Sequence, residues 1–333
     1  MSKRVTVLGS GAWGTTMAQI LCDAGHDVLI WGRNTDVVNE INSTHSNKKF
    51  LGEILLPTNL RATTDVSEAF AFGEAMILAI PAQSLRENLE NWKATFPKHL
   101  PVISTLKGIE ASTDLRMSEV VEEVLGITID RIGLITGPNL ADELIQRQPG
   151  GAVAASPNKE ISQLIIDLYT TPYFRVYPSL DLVGCELAGA AKSIIGIAVG
   201  ISIGLGLGEN TQAMIITRGL SEVARFGSAY GADPLTFLGL AGMGDLVASC
   251  GSPLSRNRTF GELIGRNGSM EIAHSKNAKT VEGVASSKAI LELAHRVGVE
   301  VPIIEVVSDV VNKGLSPADA MTRLMTVSMR AEL

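Results

Sequence analysis

From its first residues the chain alternates short apolar runs with stretches of helical periodicity. Arg4–Leu8 reads as a strand ending at Gly9, Ala12–Ala24 as a helix, and Val28–Trp31 as a second strand. Further strand-like runs follow at Met76–Ile80, Val102–Ser104, Ile132–Thr136 and Ala152–Ala155, each bounded by Gly, Pro or polar residues. Helical patterns fall between some of them, at Leu115–Leu125 and Ile161–Tyr169. This alternation predicts an α/β fold, a parallel sheet with helices on both faces. Beyond Leu180 the pattern changes. Almost no strand-like run remains, and helical periodicity covers Leu182–Gly206, Thr211–Tyr230, Ser286–Arg296, Val301–Lys313 and Pro317–Met325. Pro178 and Ser179 read as a helix-start signal and put a domain boundary near residues 178–182.

Composition narrows this picture. A chain of 333 residues is long enough for two domains, and 45% hydrophobic with 19% charged residues marks it as globular. The net charge of −7 argues against nucleic acid as a partner, though it leaves room for a local cationic pocket. Cys22, Cys185 and Cys250 are too scattered for a disulfide framework or a zinc site, which fits a reducing cytoplasm. The five histidines (His26, His45, His99, His274 and His295) show no metal-ligand spacing, and no metal is expected. No signal-peptide pattern precedes the first strand. The most apolar stretch, Ile194–Gly208, is shorter than a membrane span and holds five glycines, so a buried helix is expected there.

The 33 glycines exceed the usual share of about 7%. Six residues after the first strand read Gly9-Ser10-Gly11-Ala12-Trp13-Gly14, a G-x-G-x-x-G that opens the first helix. In that context the pattern is a dinucleotide-binding fingerprint. Gly9 permits the tight turn, Gly11 lets backbone approach a pyrophosphate, Gly14 lets helix and strand pack closely, and the helix N-terminus offers N–H groups to phosphate. An acidic residue at the end of the second strand would bind the ribose hydroxyl of NAD. Here Gly32-Arg33-Asn34 stands instead, and Arg33 can pair with a 2′-phosphate, which favours NADP(H) and leaves NAD(H) open.

Several later segments resemble one family. Leu187-Ala188-Gly189-Ala190-Ala191-Lys192-Ser193-Ile194-Ile195-Gly196 resembles the substrate-domain signature of bacterial NAD(P)-dependent glycerol-3-phosphate dehydrogenases. So do Gly204–Asn210, Thr217–Leu220, Gly239–Leu246, Ser255-Arg256-Asn257-Arg258 and Val281-Glu282-Gly283, with Lys107-Gly108 and Gly137-Pro138 in the first half. The resemblance covers nearly the whole chain. It implies reversible reduction of dihydroxyacetone phosphate to sn-glycerol 3-phosphate for glycerophospholipid synthesis. It also implies a Rossmann domain over residues 1–180 and a helical domain like that of 6-phosphogluconate dehydrogenase over 181–333, with the active site between them.

Hydride transfer to a ketone builds negative charge on its oxygen, which must be stabilised and protonated. Lys192 lies in an otherwise apolar helical run, where a charge is costly unless it has a role or a partner. The resemblance makes it the general acid for reduction and general base for oxidation. Lys107 follows the strand Val102–Ser104 at the carboxyl edge of the sheet, and the resemblance directs it to substrate and to the nicotinamide neighbourhood. Asp245 can orient Lys192 or bind a substrate hydroxyl, with helix capping as the rival. Ser255, Arg256 and Asn257 offer a hydroxyl, a guanidinium and an amide for a phosphate, and by resemblance Arg256 also touches cofactor. Resemblance alone adds Gly137 and Asn139 to the substrate set, and Ala141, Val281 and Glu282 to the Ser10, Trp13 and Arg33 neighbourhood of the cofactor. At two positions the chain departs from the family: Asn139 replaces a hydroxyl residue and Ser193 replaces the Asn or Asp that follows the lysine.

Two other readings stay open. A related 3-hydroxyacid or ketopantoate-type reductase would share the layout and the lysine but need no phosphate anchor. A non-catalytic nucleotide-sensing protein would leave Lys192 unexplained. The apolar helical half leaves a homodimer open, and internal packing explains that half equally well.

Overall fold

A computed structural model of the chain describes residues 1–270 and 281–326. His274 lies outside them. The chain divides into two compact units, Met1–Lys107 with Leu115–Cys185, and Gly108–Asp114 with Glu186–Leu333.

The first unit is built on one sheet of eight strands: β1 (Arg4–Leu8), β2 (Asp27–Trp31), β3 (Leu60–Thr63), β4 (Ala75–Leu78), β5 (Val102–Ser104), β6 (Ile132–Thr136), β7 (Gly150–Ala155) and β8 (Phe174–Ser179). Their order is β3-β2-β1-β4-β5-β6-β7-β8. Its helices are α1 (Ala12–Asp23), α2 (Thr35–Thr44), α3 (Lys48–Leu51), α4 (Val66–Phe72), α5 (Leu85–Trp92), α6 (Met117–Leu125), α7 (Ala141–Leu144) and α8 (Lys159–Tyr169). Because successive strand residues point to opposite faces, the sheet carries two cores. Val5, Val7, Ile30, Ile77 and Ile103 pack with Met17 and Leu21 of α1 and Ile165 of α8. Leu8, Trp31, Met76, Leu78 and Val102 pack with Phe70 of α4, Leu89 of α5, and Val120 and Val124 of α6. Strand order reverses direction at β1, which pairs with β2 on one side and β4 on the other. In an open α/β sheet, a ligand crevice lies beyond the strand ends at such a point.

Three features differ from the sequence reading. The sheet is not wholly parallel, because β7 runs antiparallel to β6. The connection between them carries only the four-residue α7 in place of a crossover helix. The edge strands β3 and β8 escaped notice. Leu60-Arg61-Ala62-Thr63 is too short and polar to stand out, and β8 contains Pro178, which only an edge strand or bulge tolerates. Pro178 and Ser179 therefore end a strand. The following helix is set instead by Asp181, whose Oδ1 accepts the Gly184 N–H at 2.8 Å while Ser179 Oγ accepts the Asp181 N–H.

The second unit contains α9 (Leu182–Gly204, from Glu186 onward), α10 (Glu209–Ala229), α11 (Asp245–Gly251), α12 (Arg256–Asn267), α13 (Glu282–Arg296), α14 (Pro302–Lys313) and α15 (Pro317–Thr326). A single π-turn, closed by the Gly244 N–H on Gly239 O, precedes α11. At 23 residues and a mean hydropathy of 1.7, α9 is longer than the apolar stretch read from sequence and meets the length and composition of a membrane span. However, 83% of its most apolar window is buried by the protein itself. Glu222 of α10 holds the start of α14 by accepting the Ile303 N–H on both carboxylate oxygens, and burial raises its pKa to about 7. The polar, glycine-bearing α11 and α12 had not been read as helices.

Candidate active site

The Gly9–Gly14 loop joins the end of β1 to α1 beside the end of β4, and its three glycines do three different things. Gly9 has φ +131°, and a Cβ there would lie 2.3 Å from Ala79 O. A Cβ on Gly14 would lie 1.9 Å from Gly9 O, so helix and strand meet at backbone contact. A Cβ on Gly11 would meet nothing within 4 Å. The open space is where a ligand's phosphates would have to approach. The N–H groups of Gly11, Ala12, Trp13 and Gly14 have no backbone partner among the described residues, and the first helical bond is the Thr15 N–H on Gly11 O, as the start of a helix requires. These donors and this cradle fit a pyrophosphate. Trp13 packs partly into the adjoining core, and Ser10 lies against Gly32 at the end of β2.

Arg33 follows Gly32 and is exposed. Among the described residues its side chain has no hydrogen bond or ion pair. Asn34 beside it is committed to capping α2 through the N–H groups of Asp36 and Val37. Further along the same carboxyl edge of the sheet, after β5, Lys107 is half-buried and its Nζ donates to Gly137 O at 2.9 Å. Gly137 has φ +147°, so the turn after β6 favours glycine. With its nitrogen turned inward, the Asn139 amide donates to Gly151 O at 3.2 Å and ties this turn to β7. Ala141 is the first residue of α7.

In the second unit, Lys192 sits in the middle of α9. Its side chain is 12% exposed, so it does not snorkel from a helix end. Nζ donates to Asp245 Oδ1 at 2.6 Å and to Ser249 Oγ at 2.7 Å. Asp245 is the first residue of α11, whose N-cap is Gly244, and it serves the lysine rather than the helix end. Ser249 lies one turn further along α11 on the same face, with its Oγ 3.5 Å from Asp245 Oδ1. Sequence reasoning missed Ser249; the Asp-x-x-x-Ser spacing carries the only signal. The lysine stem borders an apolar void of about 10 Å³ shared with Ala188, Ile195, Leu220 and Phe237. Cys250, next to Ser249, is buried and its thiol is pushed up to about 12, chiefly by burial, so it stays protonated and unreactive.

Two to three turns further along α9, the glycine excess finds a second use. A Cβ on Gly200 would lie 2.0 Å from Arg258 O, and one on Gly204 would lie 2.4 Å from Glu262 O. From the other side, Gly261 and Gly265 of α12 would meet Ile197 O and Ile201 O at 2.1 and 2.4 Å. Helices α9 and α12 thus cross at backbone contact through glycines spaced four apart. This crossing brings the first turn of α12 beside the lysine helix. Ser255 is buried and caps α12 by accepting the Arg258 N–H. Asn257 Oδ1 accepts the Gly283 N–H at 3.1 Å, which joins α12 to the start of α13, where Val281 is the N-cap and Glu282 the first residue. Gly283 in turn abuts the carbonyl of Ser193. Arg256 is exposed, and among the described residues its guanidinium has no partner. The described residues include no group of three or more His, Cys, Asp or Glu side chains able to hold a metal ion.

A Rossmann sheet with a glycine loop at the start of its first helix, followed by a helical unit carrying a buried lysine on a carboxylate, is the layout of a nicotinamide-dinucleotide dehydrogenase. Family models for NAD-dependent glycerol-3-phosphate dehydrogenase match this chain twice, the N-terminal one over residues 4–162 and the C-terminal one over 181–322. A glycerol-3-phosphate dehydrogenase [NAD(P)+] of Streptomyces avermitilis is 46% identical over 329 residues, covering 99% of this chain and 98% of its own. The crystal structure of glycerol-3-phosphate dehydrogenase from Coxiella burnetii superimposes with a TM-score of 0.91 at 31% identity, over 98% of this chain and 99% of that one. The chain belongs to the NAD-dependent glycerol-3-phosphate dehydrogenase family. A ketopantoate reductase from Ralstonia eutropha, at TM-score 0.61 and 16% identity over 96% of this chain and 99% of its own, shares the fold alone.

Proposed function

We propose that this chain catalyses the reversible NAD(P)H-dependent reduction of dihydroxyacetone phosphate to sn-glycerol 3-phosphate, with Lys192 as the proton donor and acceptor. In this reading the first unit holds the dinucleotide, with its pyrophosphate on the N–H groups of Gly9–Gly14. Arg33 reads a 2′-phosphate, which makes NADPH the preferred cofactor. The reduced nicotinamide supplies the hydride. Lys107, Gly137, Asn139 and Ala141 belong to the same unit and complete its share of the ligand contacts, as Val281 and Glu282 do in the second.

The observation that carries the reading is the Lys192 cluster. A lysine ammonium has three N–H donors. Asp245 Oδ1 and Ser249 Oγ take two of them, and the third is left for a carbonyl oxygen. As that oxygen gains negative charge it draws the proton from Nζ and becomes a hydroxyl. The neutral amine keeps two N–H groups for Asp245 and Ser249, so its lone pair faces the product and solvent can reprotonate it. In oxidation the amine takes the proton back. Asp245 sets the orientation of Nζ and offsets the ammonium charge in a buried setting. Arg256, at the start of α12 and unpaired among the described residues, is the cation for the substrate phosphate, with the Asn257 amide beside it. The role proposed for the product is to supply glycerophospholipid synthesis in the cytoplasm.

The test is NADPH oxidation with dihydroxyacetone phosphate compared with unphosphorylated dihydroxyacetone. A loss of roughly 10³-fold or more in kcat/KM is expected without the phosphate, since a buried polar site rejects a substrate lacking its partner. Equal rates for the two would overturn the phosphate anchor and favour a reductase of unphosphorylated substrates.

A further inference from the structure

The segment between α2 and β3 contains a buried group that none of the chemistry above uses. Asn47 has 0% exposure. Its Nδ2 donates to Ser10 O at 3.0 Å and to Thr15 Oγ1 at 2.9 Å, while its Oδ1 has no partner among the described residues. The amide orientation is fixed, because a carbonyl can only accept. A buried acceptor is left unsatisfied among the described residues while the amide's two donors reach the Ser10 carbonyl of the glycine loop and Thr15 of α1.

The backbone around Asn47 is itself held. His45 O accepts the Leu56 N–H and closes the segment, and Asn47 O accepts the N–H groups of Phe50 and Leu51. Glu40 Oε1 clamps both neighbours, accepting from Ser46 Oγ at 2.8 Å and from the Lys48 N–H at 2.9 Å. Thr15 Oγ1 also lies 3.4 Å from Ser10 O. The Ser10 carbonyl is therefore gripped from the protein side.

A trans peptide is planar, with its C=O and the following N–H pointing in opposite directions. Gripping Ser10 O inward turns the Gly11 N–H the opposite way, away from Asn47 and Thr15, on a loop residue whose Cβ position has no atom within 4 Å. We infer that Asn47 is a positioning residue for the dinucleotide pyrophosphate, acting by locking the Ser10–Gly11 peptide so that the Gly11 N–H is presented before the cofactor arrives. The inference rests on the reading of Gly9–Gly14 as the pyrophosphate loop.

The experiment measures Kd by calorimetry for NADPH and for adenosine 2′-monophosphate, which has no pyrophosphate, with wild type, Asn47→Ala and Gly11→Val. For Asn47→Ala the expected result is a rise of tenfold or more in Kd for NADPH and less than twofold for adenosine 2′-monophosphate. In turnover, KM for NADPH rises in step, while kcat at saturating NADPH changes less than threefold. An equal rise for both ligands shows a merely structural role and overturns the proposal, as does an unchanged Kd for NADPH. Gly11→Val separates the two layers. If it abolishes NADPH binding while Asn47→Ala does not, only the role of Asn47 fails. If it leaves NADPH binding intact, the loop reading fails and takes the proposal with it. Should Asn47→Ala not fold, Asn47→Ser and Thr15→Val each remove part of the grip, and a rise of about threefold confined to NADPH is the supporting result. No such selectivity overturns it.

Discussion

In the function proposed here, the two units of this protein meet phosphorylated ligands by opposite means. The first offers backbone: N–H groups at the start of α1, on a loop where glycine is needed at Gly9 and Gly14 because any side chain would strike main-chain atoms. The second offers side chains: Lys192 from α9 and, more than fifty residues further along the chain, Asp245 and Ser249 from α11 and Arg256 and Asn257 from α12. A backbone site is specified by a few adjacent residues and the turn they make. A side-chain site is specified by how helices cross. Glycine serves both, as a ligand cradle in the first unit and as the contact surface of the α9–α12 crossing in the second.

If that contrast is right, removing one side chain should silence the second site while leaving the first intact. Lys192→Ala is expected to lower kcat by about 10²–10⁴-fold, the usual worth of a general acid, with Kd for NADPH within about twofold of wild type. Stopped-flow turnover and a fluorescence titration measure the two separately, and retained turnover would remove Lys192 from the chemistry.

Arg33→Asp probes a charged side chain proposed to help the backbone site. NADPH binding should weaken by roughly 10–100-fold through loss of a charge-assisted contact and gain of a repulsion, with NADH changing only a few-fold. Equal changes for both cofactors would show that Arg33 does not read the 2′-phosphate.

The smallest effect should come from the helix crossing. Gly200→Ala places a Cβ 2.0 Å from Arg258 O unless α9 and α12 separate. Overpacking of this kind costs about 1–3 kcal/mol, visible as a lower denaturation midpoint, and KM for dihydroxyacetone phosphate should rise while Kd for NADPH holds. Unchanged stability would mean that the close approach is not what holds the crossing.

Much of this was legible beforehand, for identifiable reasons. Six of the eight strands are readable as apolar runs, because central strands of a parallel sheet are buried on both faces. The fingerprint is readable because its physics is local. Lys192 stands out because a charge inside a run such as Ala188–Ile201 is anomalous on its face. The misses share a cause. Edge strand β8 and helices α11 and α12 carry polar residues, proline or glycine that contradict local propensity, and they are held by neighbours that sequence does not show. Ser249 and Asn47 belong to the same class, an ordinary serine and asparagine whose roles exist only through residues distant in the chain.

By itself, then, the sequence determined the sheet's central strands, the glycine loop at the start of α1 and the presence of a lysine out of place, because each depends on a pattern within a few residues. Only the tertiary structure decided that β7 turns back antiparallel, that Asp245 and Ser249 share the lysine, and that a buried amide 37 residues away grips the Ser10 carbonyl. Those outcomes depend on which distant surfaces pack together, and packing is a property of the whole fold rather than of any stretch of it.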